Sequence, residues 1–167
     1  MTRHVVVMGV TATGKSAVGA GIADALDVPL IEGDTHHPRA NIEKMSSGLP
    51  LNDEDRWPWL DILAGILAED HRDGRSSVLA CSALRRVYRD RLRGDLPEGE
   101  VFFVHLTGSR ELLEERMRAR EHFMPVSLLD SQLETLEPLE PDEHGAVVDV
   151  APPVEEVVAA AVASLPG

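Results

Sequence analysis

The 167-residue sequence contains one cysteine, Cys81, so no disulfide can form within the chain. That usage fits a reducing, cytoplasmic setting. Aromatic residues make up only 4% of the chain, which leaves a core to be built mostly from Val, Leu, Ile and Ala. No apolar run approaches the roughly 20 residues that span a bilayer. The N-terminal apolar run is too short for a secretory signal core, and no targeting segment, internal repeat or low-complexity linker stands out. Basic residues are scarce: 16 Lys and Arg face 29 Asp and Glu, for a net charge of −13. That balance argues against a general nucleic-acid surface and is unfavourable for an anionic membrane. An anionic ligand must therefore be met by a local cluster of Arg and Lys on an acidic background. What is present, 167 residues with 43% apolar content, suits a single domain over 1–167 with a real core.

Against that background one stretch organises the chain: Gly9-Val10-Thr11-Ala12-Thr13-Gly14-Lys15-Ser16. It fits G-x-x-x-x-G-K-[ST], the phosphate-binding P-loop. Gly9 and Gly14 permit backbone conformations that a Cβ obstructs. The N–H groups of Thr11, Ala12 and Thr13 can then face phosphate oxygens. Lys15 supplies a point charge for the β- and γ-phosphates, and Ser16 a hydroxyl for Mg²⁺ at a helix N-terminus. The flanks agree. His4 to Met8 reads as a short buried strand, and Val18, Ile22, Ala25 and Leu26 share a helical face.

The remaining segments alternate. Pro29 to Ile31 reads as a strand ending in Glu32-Gly33-Asp34, where ligands bind in open α/β sheets. After a P-loop this points to catalysis; the bland reading is an acidic turn. Gly19 and Gly21 weaken the P-loop helix by about 1 kcal/mol each, which close packing would explain. A helix is expected from Pro38 to Ser47, and a longer one from an Asn52-Asp53 cap to Arg72, kinked early by Pro58. Trp57, Leu60, Leu63, Ile66 and Leu67 form its apolar face. Arg56 in its first turn opposes the helix dipole, leaving a ligand contact or a solvated arginine as readings. Ser77 to Cys81 reads as a central strand, with Cys81 a buried apolar residue and Ser82 capping a helix. That helix buries Leu84, Val87, Tyr88 and Leu92. Its later arginines, Arg86, Arg89, Arg91 and Arg93, read as a solvated face, while Arg85 follows the strand end closely enough to reach the site.

Val101 to Leu106 is a further strand with a structural His105, and Ser109 to about Glu121 a helix burying Leu112, Leu113 and Met117. Arg116 and Arg120, four apart, share one face and run into a loop. They either clamp phosphates as a lid over about 117–127 closes or pair with Glu114 and Glu115. Val126 to Leu136 reads as a short helix containing Gln132, and Glu137 to Glu143 as a surface loop. A strand at Ala146 to Val150 and an amphipathic helix from Val154 close the chain; the Pro152-Pro153 turn between them would border the adenine. Five strands alternating with helices predict an α/β, doubly wound parallel sheet.

The motifs Met8 to Ser16, Glu32-Gly33-Asp34, His37-Pro38, Asn41 to Met45, Pro50 to Asp53, Asp55-Arg56, Pro58 to Leu60, Cys81 to Leu84, Tyr88 to Asp90 and His122-Phe123 closely resemble those of the bacterial gluconokinases. These are P-loop sugar-acid kinases related to shikimate and adenylate kinases, and the resemblance covers nearly the whole chain. It implies the three-layer P-loop kinase fold with strand order 2-3-1-4-5 and a small lid. It also implies ATP-dependent phosphorylation of D-gluconate at the 6-hydroxyl, Mg²⁺, a cytoplasmic location and a homodimer. Members of that family usually carry Asp-Gly-Asp where this chain has Glu32-Gly33-Asp34, so the retained Asp34 carries the mechanistic weight. In the mechanism expected, Lys15 and the P-loop hold phosphates and Ser16 ligates Mg²⁺. Asp34 takes the acceptor's proton, and Arg56, Arg85, His37 and Gln132 bind the acceptor. Arg116 and Arg120 neutralise charge in transfer. Competing readings are another small-molecule kinase, a nucleotide switch, which the absence of N-K-x-D disfavours, and a non-catalytic binding module. The tandem His36-His37 suggests metal binding only if further spaced ligands join it.

Overall fold

The computed structural model describes residues 3–119 and 125–166. Five strands form one parallel sheet in the order β2-β3-β1-β4-β5: β1 His4–Met8, β2 Leu30–Glu32, β3 Ser77–Ala80, β4 Val101–Thr107 and β5 Gly145–Asp149. The central strand β1 sets the register, with Val5 opposite Val78 on one side and Phe102 on the other. Among the described residues seven α-helices connect and follow the strands: α1 Lys15–Leu26, α2 Arg39–Ser46, α3 Asp53–Arg72, α4 Arg86–Arg93, α5 Arg110–Arg118, α6 Val126–Thr135 and α7 Val154–Ser164.

The strands form where the chain is continuously apolar because both faces of this sheet are covered. Val5 and Val7 point into a core shared with Val18 and Ile22 of α1, Leu113 and Met117 of α5, and Val157 and Ala161 of α7. Val6 and Met8 point the other way, into a core with Leu60, Leu63 and Leu67 of α3 and Leu92 of α4. Three layers result, as expected. The glycines of α1 also find their reason: a Cβ on Gly21 would stand 2.5 Å from Val158 of α7, and one on Gly19 3.1 Å from Leu30. On the same helix Ala23 is buried, whereas Ala25 faces solvent.

At α3 the expected cap is a full capping box: Asn52 Oδ1 accepts from the Asp55 N–H, and Asp55 Oδ2 from the Asn52 N–H, both at 2.9 Å. The helix runs unbroken through Pro58 to Arg72. Three expectations around α4 are corrected. Ser82 does not cap it; the chain stays irregular to Arg85, with Ala83 at φ +45°, and the helix starts at Arg86. Val87 is 44% exposed. Most consequentially, Arg89 is not on a solvated face but fully buried, and Glu143, expected on a surface loop, is buried with it.

Arg89 Nε and Nη2 donate to Glu143 Oε1 and Oε2 at 2.8 and 3.0 Å, while Nη1 donates to the Ala83 carbonyl and Nη2 also to that of Pro138. Burial pushes the Glu143 carboxyl up, but hydrogen bonds from Arg89, the Glu140 segment and Arg93 outweigh it and hold it at about 2. Removing one partner strands the other's charge. Arg89→Met should therefore lower unfolding free energy by roughly 3–5 kcal/mol in urea titration, and the double variant Arg89→Met/Glu143→Leu by less.

Two buried imidazoles carry a second expectation. His4 Nδ1 pairs with Ser77 Oγ at 2.9 Å, whereas His4 Nε2 and His105 Nδ1 have no hydrogen-bond partner among the described residues. Burial depresses both pKa values; His71 adds to this at His4, against Asp70 and Glu100, and Arg89 adds to it at His105. The folded state then binds these protons less readily than the unfolded chain, whose histidines titrate near ~6.5. Their stabilising contribution is present above that pH and is lost as pH falls through it towards the folded values. Urea midpoints should drop between about pH 7.5 and pH 5.5, and His105→Gln should flatten part of that slope.

Candidate active site

The P-loop leaves the C-terminal end of β1 and is gripped by both neighbouring strand ends. Its Gly9 N–H donates to the Ser82 carbonyl beyond β3 at 3.2 Å. A Cβ on Gly9, which sits at φ +152°, would come within 2.8 Å of the Leu106 carbonyl of β4. Ala12 at φ +69° and Gly14 at φ +85° turn successive N–H groups inward, the arrangement of an anion nest. The Thr13 side chain is 1% exposed and its hydroxyl donates to the Val10 carbonyl at 2.7 Å, so it braces the loop. Lys15 Nζ donates to the same carbonyl at 3.1 Å. Ser16 Oγ donates to Glu32 Oε2 at 2.9 Å.

Beside this loop lies a cavity of about 710 Å³ whose walls include Thr11, Ala12, Gly14, Lys15, Ser16, Asp34, His37 and Gln132. Eight residues proposed from sequence thus meet in one compartment. Asp34 sits on a short 3₁₀ turn, Gly33–His36, at the end of β2. The turn is pinned by Trp59 Nε1, which donates to the Gly33 carbonyl at 2.8 Å. The His37 ring stacks on Trp59 at 4.2 Å. Asn41 Nδ2 donates to the Asp55 carbonyl at 2.9 Å and lies 3.2 Å from His37 Nδ1. The carbonyl contact fixes the amide's orientation, so Nδ2 also donates to Nδ1, leaving the imidazole proton on Nε2. Burial lowers the His37 pKa, against Asp34 and with Arg56, which favours this neutral form.

A second cavity of about 620 Å³ adjoins the first and shares Met45, Ser82, Leu128 and Gln132 with it. Arg56 lines it, together with the hydroxyls of Ser82, Ser127, Ser131 and Thr135. Gln132 Oε1 accepts from the P-loop N–H of Thr11 at 2.6 Å, so the amide bridges the two compartments. Arg85 is not in the lining of either cavity. Its Nη1 instead donates to Asp53 Oδ2 at 2.9 Å.

Other expectations fall elsewhere. Arg116 lines neither cavity; its Nη2 donates to the Val150 carbonyl at 2.5 Å, past the end of β5. Glu114 pairs with Arg110 and Arg118, at 2.7 and 3.2 Å. Arg120 and residues 121–124 of the expected lid lie outside the described residues. No group of three or more His, Cys, Asp and Glu that could hold a metal occurs among the described residues, so His36-His37 gains no further ligands. Burial pushes the Cys81 thiol up to about 12, against a hydrogen bond from the Ala83 backbone, which keeps it protonated and unreactive.

The sequence reading did not single out Asp53 and Tyr88 as site residues. Asp53 Oδ1 accepts from the Tyr88 hydroxyl at 2.5 Å and from Arg56 Nη1 at 3.2 Å. The signal available was Asp53 three residues before Arg56 on one helical turn; Tyr88, thirty-odd positions later, left none.

A family model described as an AAA domain matches residues 5–139. The gluconokinase of Gluconobacter oxydans (strain 621H) is 53% identical over 137 residues, covering 81% of this chain and 75% of that protein. The thermoresistant gluconokinase of Escherichia coli (strain K12) is 43% identical over 159 residues, covering 94% and 90%. A crystal structure of a gluconokinase from Sinorhizobium meliloti 1021 matches with a TM-score of 0.89 at 51% identity, over 98% of this chain and 91% of that one. Shikimate kinase from Aquifex aeolicus vf5, at 16% identity and a TM-score of 0.63, shares the fold.

Proposed function

The chain belongs to the gluconokinase family of P-loop kinases, and from that membership we propose that it transfers the γ-phosphoryl group of ATP to the 6-hydroxyl of D-gluconate, giving 6-phospho-D-gluconate and ADP. The observation that carries this reading is the character of the second cavity. Among the described residues lining it, Arg56 is the one charged side chain; five hydroxyl-bearing residues, Tyr88 among them, and an amide accompany it, set among apolar side chains such as Leu49, Leu51 and Leu84. A single cation with many neutral polar groups suits a polyhydroxy monoacid. A nucleoside monophosphate, with its dianionic phosphate, would call for more positive charge.

The chemistry follows from placement. The P-loop N–H groups and Lys15 take the β- and γ-phosphates, as the nest geometry favours. The acceptor lies in the Arg56 cavity and extends its terminal hydroxyl past Ser82 and Gln132 towards Asp34. Asp34 accepts the hydroxyl proton, the freed oxygen bonds to the γ-phosphorus, and the β–γ bridging oxygen leaves with ADP. His37, with its proton on Nε2, and the Gln132 amide nitrogen are donors for the acceptor's oxygens. Arg116 spends one donor on Val150 and keeps others for phosphate oxygens.

Ser16 and Glu32 place a hydroxyl and a carboxylate 2.9 Å apart at the start of α1. Hard oxygen donors of this kind fit Mg²⁺. Ser16 would hold the ion with phosphate oxygens and water, and Glu32 would hold its water. Bound there, Mg²⁺ would neutralise charge on the β- and γ-oxygens.

ADP release from Mg-ATP should depend on D-gluconate and be near background with shikimate, AMP, glucose or no acceptor. Preferred turnover of another acceptor would overturn the substrate assignment. Asp34→Asn should leave ATP binding near wild type and cut kcat about 10²- to 10⁴-fold, the usual contribution of a general base. A collapse of ATP affinity instead would make Asp34 a nucleotide-site residue.

A further inference from the structure

Arg56 stands at the fourth residue of α3, where the helix dipole disfavours a cation. What holds it there is a closed network from two segments of the chain, 53–56 and 85–88. Arg56 Nη1 donates to Asp53 Oδ1 at 3.2 Å and to the Tyr88 hydroxyl at 3.1 Å. The Tyr88 hydroxyl donates to the same Asp53 oxygen at 2.5 Å, and Arg85 Nη1 donates to the other at 2.9 Å. Both guanidinium groups lie over the one Tyr88 ring, 5.5 and 5.6 Å from its centroid. The hydrogen bond from Tyr88, then Arg85 and Arg56, hold the Asp53 carboxyl below its usual range despite some desolvation, so it is ionised.

We propose that Asp53, with the Tyr88 ring as its platform, is a positioning residue that aims Arg56 at the acceptor's carboxylate, and that Arg85 is the counter-ion of Asp53 and not an acceptor ligand. The inference rests on the acceptor reading given above and deepens it. A guanidinium presents five N–H donors in a plane, and a carboxylate is bound best by two parallel bonds. Among the described residues only Nη1 of Arg56 is engaged, so the Nε and Nη2 edge is left for an acid. Arg85 is differently disposed: it lines neither cavity, and its Nε has a second carboxylate, Glu137, at 3.6 Å. Bracketed by two acids, it is paired with Asp53 on the side away from Arg56. Asp53 itself lies behind Arg56, not in the cavity lining, and so acts through the arginine.

A double-mutant cycle tests this. Asp53→Asn and Arg56→Gln should each raise the acceptor KM about 10- to 100-fold, the worth of a charge-assisted hydrogen bond, with the KM for ATP unmoved. Combined, they should be no worse than the more damaging single change, because the aspartate has nothing left to aim. Arg85→Gln should raise the acceptor KM less than Arg56→Gln does. The proposal is overturned by an acceptor KM that Asp53→Asn leaves within about twofold, by effects that multiply in the double variant, or by a larger effect from Arg85→Gln. Should Asp53→Asn fold poorly, Tyr88→Phe, which keeps the ring and removes the hydroxyl, takes its place in the cycle. The same outcomes then decide, with a smaller rise expected. The cycle is read with whichever hydroxy acid the wild-type enzyme phosphorylates. Inactivity towards gluconate thus defeats the functional reading alone, whereas additivity defeats this one alone.

Discussion

The molecule depends on one steric constraint at the top of β1. The P-loop must turn between the ends of β3 and β4 with almost no clearance: the Gly9 N–H bonds to Ser82 on one side, and the Leu106 carbonyl occupies the space of a Cβ on the other. This fit requires the β3-β1-β4 order, because only a central strand has neighbours to grip its loop on both sides. It also links the two cavities, since Ser82 contributes its backbone to the loop and lines both. The sheet is therefore more than a support. Its two inner strand ends hold the P-loop in place.

The Ser82 wall is in turn held from behind by a buried ion pair. Arg89 and Glu143 could together have been replaced by apolar side chains at little cost in stability, since desolvating two charges consumes most of their attraction. What an apolar residue could not do is donate to the Ala83 carbonyl. Ala83 lies at φ +45°, a conformation that costs a residue with a Cβ about 1 kcal/mol or more and needs outside support. Arg89 supplies that support while Glu143 satisfies its charge. The Glu137 N–H bonds the next carbonyl, that of Leu84, at 2.7 Å. The loop before α4 is thus fixed by polar groups on both sides of a strained residue, which explains why the helix starts later than a Ser82 cap implied.

These facts explain what could be read from the chain and what could not. The P-loop, the five strands and the acidic end of β2 were legible because each is local: a glycine pattern, an apolar run, a carboxylate beside a turn. Strand order came through family resemblance, since no periodicity in β2 says that it lies outside β3. The fate of Arg89 was illegible for a different reason. Four arginines on one short helix look like a solvated face, and only the return of Glu143, 54 residues later, turns one of them inward. Arg85 misled similarly. Its position after β3 was right for the site, but the carboxylate that claims it comes from Asp53, which sequence shows only as part of a helix start. Long-range pairings of charge leave no period to detect.

An acidic protein that binds two anions meets a conflict that its arginines resolve. Most guanidinium groups here are already paired: Arg86 with Asp90 and Asp142, Arg91 with Asp61, Arg93 with Asp90 and Glu143. Pairing quiets the positive charge over most of the surface, where screening leaves such bonds worth little for stability. The anion sites are built differently. For phosphates the P-loop offers backbone N–H groups and a helix N-terminus, which carry no net charge and need no counter-ion, beside the charge of Lys15. In the second cavity Arg56 is the one charged side chain among the described lining residues, and it is hydrogen-bonded to Asp53. An anion approaching the acidic exterior gains little until it enters the cleft, where low-dielectric walls and few competing carboxylates make each donor count for more. On the acceptor reading proposed above, selectivity for a small monoacid would follow from that economy of charge: one cation has one anionic group to satisfy, and a second would enter unpaired.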